Sequence, residues 1–187
     1  TFIPLHGIEY IIKAAKLLES VDDMKFRILG SGQTFQKIKK LSQTMKTKNI
    51  TFMEPVPYTT LPRIISEADI CLGIFGKSDK TKNIIPNKVF EIIAMKKPLI
   101  SGDTPAMRSK FTHLVNCYLC KTGDEKELAN AVMTLKNDNR LRKNISRGGY
   151  ILFEKKFTSQ SIGYSLKTFF FKITGKENGD MRKANTD

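Results

Sequence analysis

The chain has 187 residues, 40% of them hydrophobic, with 12 Gly and 7 Pro; that suffices for one well-packed domain with an appendage and excludes fibrous and low-complexity classes. Its 32 Lys and Arg against 18 Asp and Glu leave a net charge of +14, which calls for a polyanionic partner: substrate phosphates, an anionic membrane face or nucleic acid. No nucleic-acid motif accompanies the lysines and Trp is absent, so no nucleic acid is expected, and the lack of a long apolar run or a charged-then-apolar leader predicts neither a membrane span nor a signal peptide.

Thr1 to Gly7 reads as a strand end and loop. Ile8, Ile11, Ile12, Ala15 and Leu18 then recur at helical spacing, which predicts an amphipathic helix over 7–18. Lys25 to Leu29 alternates as a half-buried strand and runs into Gly30-Ser31-Gly32, after which Phe35, Ile38, Leu41 and Met45 mark a second helix. Strand, glycine turn and helix in that order form a phosphate-loop arrangement in general terms, although such glycines also serve a tight turn alone. Ile50–Met53 is a short strand, followed by the loop Glu54 to Tyr58. Thr59 or Thr60 is placed to cap a helix with Leu61, Ile64, Ile65 and Ala68 inward and Pro62 in its first turn.

Ala68 to Phe75 is a mostly apolar run of the kind found in a central parallel strand. It leads into a loop, 76–85, that carries Lys77, Lys80 and Lys82. Past the segment 86–97, Pro98 to Gly102 predicts a strand, Thr104 a capped short helix, Asn116 to Cys120 a last strand, and Asp124 to Leu135 a capped helix. Residues 138–157 form a basic helix, and Ser159 to Ile173 another with Leu166, Phe169, Phe170 and Ile173 in a stripe. The segment 175–187 lacks apolar anchors and is expected to be a flexible tail. Cys71, Cys117 and Cys120 make an odd count without paired metal spacing, which suits a reducing compartment. On a strand, Cys117 and Cys120 point to opposite faces, so they are expected to be structural thiols. His113 has no evident partner.

Strands alternating with helices of ten or more residues predict an α/β fold, a Rossmann-like parallel sheet with helices on both faces and ligands at the carboxyl ends of the strands. Gly30, residues 76–87 and Gly102 all lie at such ends. The segment 83–98 is the most informative. Pro86 fixes φ and needs no donor, which suits a helix start at Pro86 or Asn87. Val89, Phe90, Ile92, Ile93 and Met95 are apolar almost all round, so only the start of this helix faces solvent. Free N–H groups at Asn87, Lys88 and Val89, the helix dipole and the Lys88 ammonium together favour a phosphate there. Glu91, about one turn further in, is placed to accept both hydroxyls of a ribose. An acid near a helix start is also favourable through the dipole alone.

Pro86-Asn87-Lys88-x-x-Glu91 followed by Ala94-Met95-x-x-Pro98-x-Ile100 resembles the donor-sugar motif of retaining glycosyltransferases of family 4 (group 1), whose fold is called GT-B. The resemblance extends over about residues 3–157. It implies a nucleotide-sugar donor-binding domain over 1–157, a C-terminal helix over 158–174 and a tail over 175–187. The donor contacts it implies are Gly30, Ser31 and Gly32 in the turn that closes over the nucleotide, Pro57 in the loop that passes the base, and Pro86, Asn87, Lys88, Val89 and Glu91. In the family a second glutamate, here Glu91, binds the ribose. The first, eight positions earlier, contacts the transferred sugar and is Asn83 here; Lys97 replaces the usual glycine before Pro98. His6 stands where a Lys-Gly lysine meets the diphosphate, so Lys88 and His6 are the expected catalytic groups, with an imidazole charged only in part near neutral pH.

The activity so implied is hexosyl transfer from a UDP- or GDP-type nucleotide sugar to a glycan or lipid-linked acceptor, as in cell-surface polysaccharide biosynthesis. It needs no metal and no cofactor. It also implies an N-terminal acceptor domain as partner, a cytoplasmic setting that includes the inner face of the cell membrane, and inactivity of these 187 residues alone. Two other functions share the architecture: half of a sugar-nucleotide epimerase, and a non-catalytic nucleotide-binding module.

Overall fold

The computed structural model describes residues 1–174, and the expected tail 175–187 lies outside them. A 3₁₀ turn, Pro4–His6, leads into α1 (Ile8–Leu17); β1 (Phe26–Leu29), α2 (Phe35–Thr44) and β2 (Ile50–Met53) follow. A second 3₁₀ turn, Tyr58–Thr60, opens α3 (Leu61–Ser66), and then come β3 (Cys71–Leu72), α4 (Asp79–Asn83), α5 (Asn87–Ala94), β4 (Leu99–Gly102) and α6 (Pro105–Arg108). The described chain closes with β5 (Tyr118–Cys120), α7 (Glu125–Asn137), α8 (Asn139–Lys156) and α9 (Ser159–Thr174). Expected caps form at Thr104, which accepts from Met107 N, and at Asp124, which accepts from Lys126 N and Glu127 N. Neither Thr59 nor Thr60 caps α3 through its hydroxyl; the 3₁₀ turn runs straight into the helix and satisfies the entry instead.

All strand pairs are parallel, but they form two ladders rather than one. β1 pairs β2, and β3, β4 and β5 pair in that order. The N-terminal segment lies between the carboxyl ends of the two: Phe2 N donates to Ser31 O at 2.8 Å, and Phe75 N donates to His6 O at 3.0 Å. The composition of the run 68–75 predicts a central strand there, yet β4 holds that place, with all four of its residues buried. The β3 ladder does run on past Leu72, through Gly73 N to Ile100 O and Gly102 N to Ile74 O, both 2.8 Å.

Side chains alternate across β3-β4-β5, so helices cover both faces. Ile100 and Cys120 enter a core with α1, α2 and α7, which also takes Phe26 and Ile28 of β1 and so joins the two ladders. Leu99, Cys71 and Leu119 enter a second core with Val89, Ile92 and Ile93 of α5 and Met107 of α6. Cys117 lies in the second core and Cys120 in the first, on opposite faces as the strand period requires. All three cysteines are buried and free. Burial pushes the Cys71 thiol up to about 11 and Cys120 up to about 12, so neither is a reactive thiolate at neutral pH. Among the described residues no helix is long and apolar enough to cross a membrane.

Gly7 joins the first 3₁₀ turn to α1 at φ +62°, and a Cβ there would stand 2.4 Å from Gly76 N. Both the left-handed backbone and the contact require glycine. Gly7→Ala is therefore expected to cost about 2–4 kcal/mol, read as a lowered midpoint in urea unfolding; a loss of less than about 0.5 kcal/mol would show that the two loops do not meet as described.

Candidate functional site

α5 begins where the sequence places it. Pro86, at φ −75° and ψ 151°, is the residue before the first helical turn, and Asn87 is the first inside it. No side chain caps this end. The expected set of three open amides shrinks to two, because Val89 N donates to Pro86 O at 2.9 Å, a tightened first turn. The amides of Asn87 and Lys88 remain for a ligand. Helices entering from a β-strand's carboxyl end place such amides at the sheet edge where α/β folds bind ligands.

Lys88 is half-buried as a residue, yet its ammonium is desolvated. Burial pushes it down to about 8, and the neighbouring Glu91 only partly restores it. Among the described residues Lys88 has no carboxylate within ion-pair distance. A desolvated cation without an ion-pair partner is uphill, and an incoming anion reverses that.

His6 closes the first 3₁₀ turn, half-buried, its carbonyl tied to Phe75 N. Burial first and Lys88 second push its imidazole down to about 4, against a hydrogen bond to the Thr1 backbone. At pH 7 it is a neutral donor, not the partly charged group its ordinary value implies. Thr1 links this group to the glycine turn: a Cβ on Gly30 would stand 3.6 Å from Thr1 N, and the His6 imidazole bonds to the Thr1 backbone. Gly30 and His6 thus meet at Thr1, with Lys88 near His6.

Ser31 and Gly32 sit at the exposed end of the same turn. Gly32 has φ +145°, and a Cβ there would lie 2.8 Å from Phe2 N and O, so the turn is clamped to the N-terminal segment. Thr34 N completes the clamp on Phe2 O at 3.1 Å.

Glu91 is the fifth residue of α5, and the first turn holds no acid, which weakens the dipole explanation of its presence. Its Oε1 accepts from Tyr58 Oη at 3.3 Å. Tyr58 follows Pro57, the residue before the second 3₁₀ turn, and is 71% exposed. Tyr58 is not among the residues expected at the site, whereas Pro57 is; an aromatic directly after the proline loop is the sequence signal that marks it. The Glu91 carboxylate raises the Tyr58 phenol above its ordinary value.

Asn83 is not brought to this group. Its Nδ2 donates to Asp79 O at 3.2 Å, folded back on its own helix. Two of the three loop lysines are engaged elsewhere: Lys82 pairs with Asp79 at 2.8 Å, and Lys77 lies over the Tyr10 ring and against Gly123. His113 Nδ1 accepts from Leu119 N at 3.0 Å and serves the strand end.

The site therefore comprises two open amides, one desolvated ammonium, one neutral imidazole and a tyrosine-held carboxylate, at the carboxyl ends of parallel strands. Similar folds occur in TarM of S. aureus, solved as a mutant in complex with Fondaparinux, alpha-GlcNAc-glycerol and UDP (TM-score 0.76, 18% identity, 90% of this chain and 34% of that one). HepE of Anabaena, solved with UDP and glucose, is similar over 91% of this chain and 46% of that one (TM-score 0.77, 15% identity). The C-terminal domain of LpcC, a glycosyl transferase group 1 family protein of Francisella tularensis, matches over 85% of this chain and 83% of that domain (TM-score 0.71, 21% identity). The chain thus spans about a third of TarM and under half of HepE. No curated protein matches it. The model for glycosyl transferases group 1 matches residues 1–151, and with the motif at 86–100 and the parallel α/β fold in agreement, the chain belongs to that family.

Proposed function

We propose that this chain is the donor-binding part of a retaining glycosyltransferase, and that the start of α5 holds the diphosphate of a nucleotide sugar. The observation that carries this is Lys88, a desolvated ammonium beside two open amides, with Glu91 one turn away. The diphosphate receives the Asn87 and Lys88 amides and the Lys88 ammonium, and His6 adds a neutral N–H. As the sugar leaves, charge grows on the diphosphate, and donors already in place stabilise it without reorganising. Glu91, steadied by Tyr58, accepts the ribose hydroxyls. No metal or cofactor enters this scheme. TarM and HepE were both captured with UDP, which makes UDP the nucleotide to try first. The acceptor is a glycan or a lipid-linked glycan and is bound by a second domain of the kind that completes the longer relatives.

UDP added at one hundred times its dissociation constant is expected to stabilise the chain by about 2.7 kcal/mol. The affinity falls as pH rises through about 8, where Lys88 loses its proton. Thermal unfolding with and without UDP at pH 6.5 and 9.5 checks both statements. Equal stabilisation at the two values would remove Lys88 from the site.

A further inference from the structure

We propose that a cleft at the amino end of the β3-β4-β5 sheet, between the turn after α5 and the first half of α8, is a second anion site that takes a phosphomonoester or a diphosphate. It is distinct from the site at the start of α5, because eight residues of helix, about 12 Å, lie between them. The cleft has a volume of about 600 Å³ and is lined by Lys96, Lys97, Arg142, Lys143 and Arg147, with Asp69 as its one acid. That volume is in the range of small-molecule sites.

Among the described residues none of the five cations is in an ion pair. Arg142 is already engaged, donating to Leu135 O at 2.8 Å and Lys136 O at 3.1 Å, and so fixes the α7–α8 junction. Lys97, Lys143 and Arg147 are free to meet a ligand. Lys96 and Lys97 follow α5, where a cation is favourable to the end of a helix. That explanation does not extend to α8, where the Asp138 carboxylate caps the helix start through Leu141 N and Arg142 serves the α7 carbonyls, but Lys143 in the second turn has neither partner. Lys143 and Arg147 are also a like-charge pair four residues apart on one helix face, which is unfavourable without an anion between them.

The remaining wall is fixed in place. Lys96 holds a left-handed φ of +53°, uncommon for a side-chain-bearing residue. Ser146 Oγ donates to its carbonyl, and its ammonium lies 4.1 Å from the Tyr150 ring centroid. Repulsion between Lys143 and Arg147 costs stability, and one bound phosphate relieves it. Arg147 supplies a planar fork for two phosphate oxygens; Lys97 and Lys143 supply point charges.

Pyrophosphate titrated into the full chain by calorimetry tests this. Saturable binding is expected and persists in Lys88→Met, where the site at α5 has lost its ammonium; in that background Lys143→Gln/Arg147→Gln weakens it about tenfold or more. It also persists in Lys39→Gln/Lys40→Gln, which makes the same change of charge on α2. Unfolding curves should show the variants at least as stable as the parent, since each removes an uncompensated positive charge. Sedimentation with phosphatidic acid and phosphatidylcholine vesicles distinguishes the source of the phosphate: co-sedimentation lost in the Lys143/Arg147 variant, without free pyrophosphate binding, assigns a lipid headgroup. Binding that is absent in both assays, or that the α2 control weakens as much, overturns the proposal.

Discussion

Replacing Lys88 with methionine lowers UDP affinity by about 100-fold, about 2.7 kcal/mol, and leaves the free chain at least as stable as before. The two effects have one cause. The ammonium is desolvated in the folded chain, pushed from its ordinary 10.5 down to about 8, so the fold is burdened by a charge that only an anion compensates. The sign of the pH effect follows. Between about 8 and 10.5 the unfolded chain holds the Lys88 proton more tightly than the folded one, so this group makes the free protein more stable as pH rises through that window. Affinity for UDP moves the opposite way. A lysine that merely packed its stem would give a less stable methionine variant and unchanged UDP binding. Calorimetry of UDP binding and urea unfolding of both proteins separate the two cases.

Glu91→Ala is the second large effect, and its mark is selectivity. In the proposed arrangement the carboxylate accepts the ribose hydroxyls, so UDP affinity drops about tenfold to 100-fold, the size of one or two hydrogen bonds to a charged group. Affinity for pyrophosphate, which has no ribose, stays as it was when measured in Lys143→Gln/Arg147→Gln, where the site at α5 alone reports. Tyr58→Phe removes the 3.3 Å bond that holds Glu91 and produces a smaller loss, of several-fold, in the same direction. Neither change should lower fold stability by more than about 1 kcal/mol, because Glu91 lies beyond the first turn and Tyr58 is exposed. Equal losses for UDP and pyrophosphate would mean that Glu91 shapes the helix start and does not touch the ribose.

The start of α5 was legible because Pro86 and the apolar residues after it are local signals. The same holds for α1, α7 and β2, whose periodicities and caps lie within single stretches of sequence. Opposite burial of Cys117 and Cys120 followed from strand period alone. What was not legible depends on approach between distant segments. The break between β1 and β3 comes from Phe2 and His6 bonding across to Ser31 and Phe75, contacts between segments about 30 to 70 residues apart that no window reveals. The central place of β4 has the same origin, since both neighbours of a strand are set by topology and not by its own composition.

The chemistry of the site shows the same division. Lys88 was visible as a basic residue at a helix start, but its desolvation comes from the packing around it. His6 was visible as a loop histidine, yet burial and Lys88 make it neutral. Asn83 stands where the family has its first glutamate, and its amide is bonded to the Asp79 carbonyl. Val89 lost its place among the open amides to a 2.9 Å bond with Pro86. The amphipathic stripe of α9 was read correctly, but its Leu166, Phe169, Phe170 and Ile173 are all more than half exposed, which a periodicity cannot show.

The most direct test of the central claim is a crystal structure of the chain with UDP. The prediction is that β-phosphate oxygens lie within hydrogen-bond distance of the Asn87 and Lys88 amides and the Lys88 Nζ, with both ribose hydroxyls on Glu91. UDP bound with its diphosphate away from the start of α5, or with its ribose turned from Glu91, would contradict it.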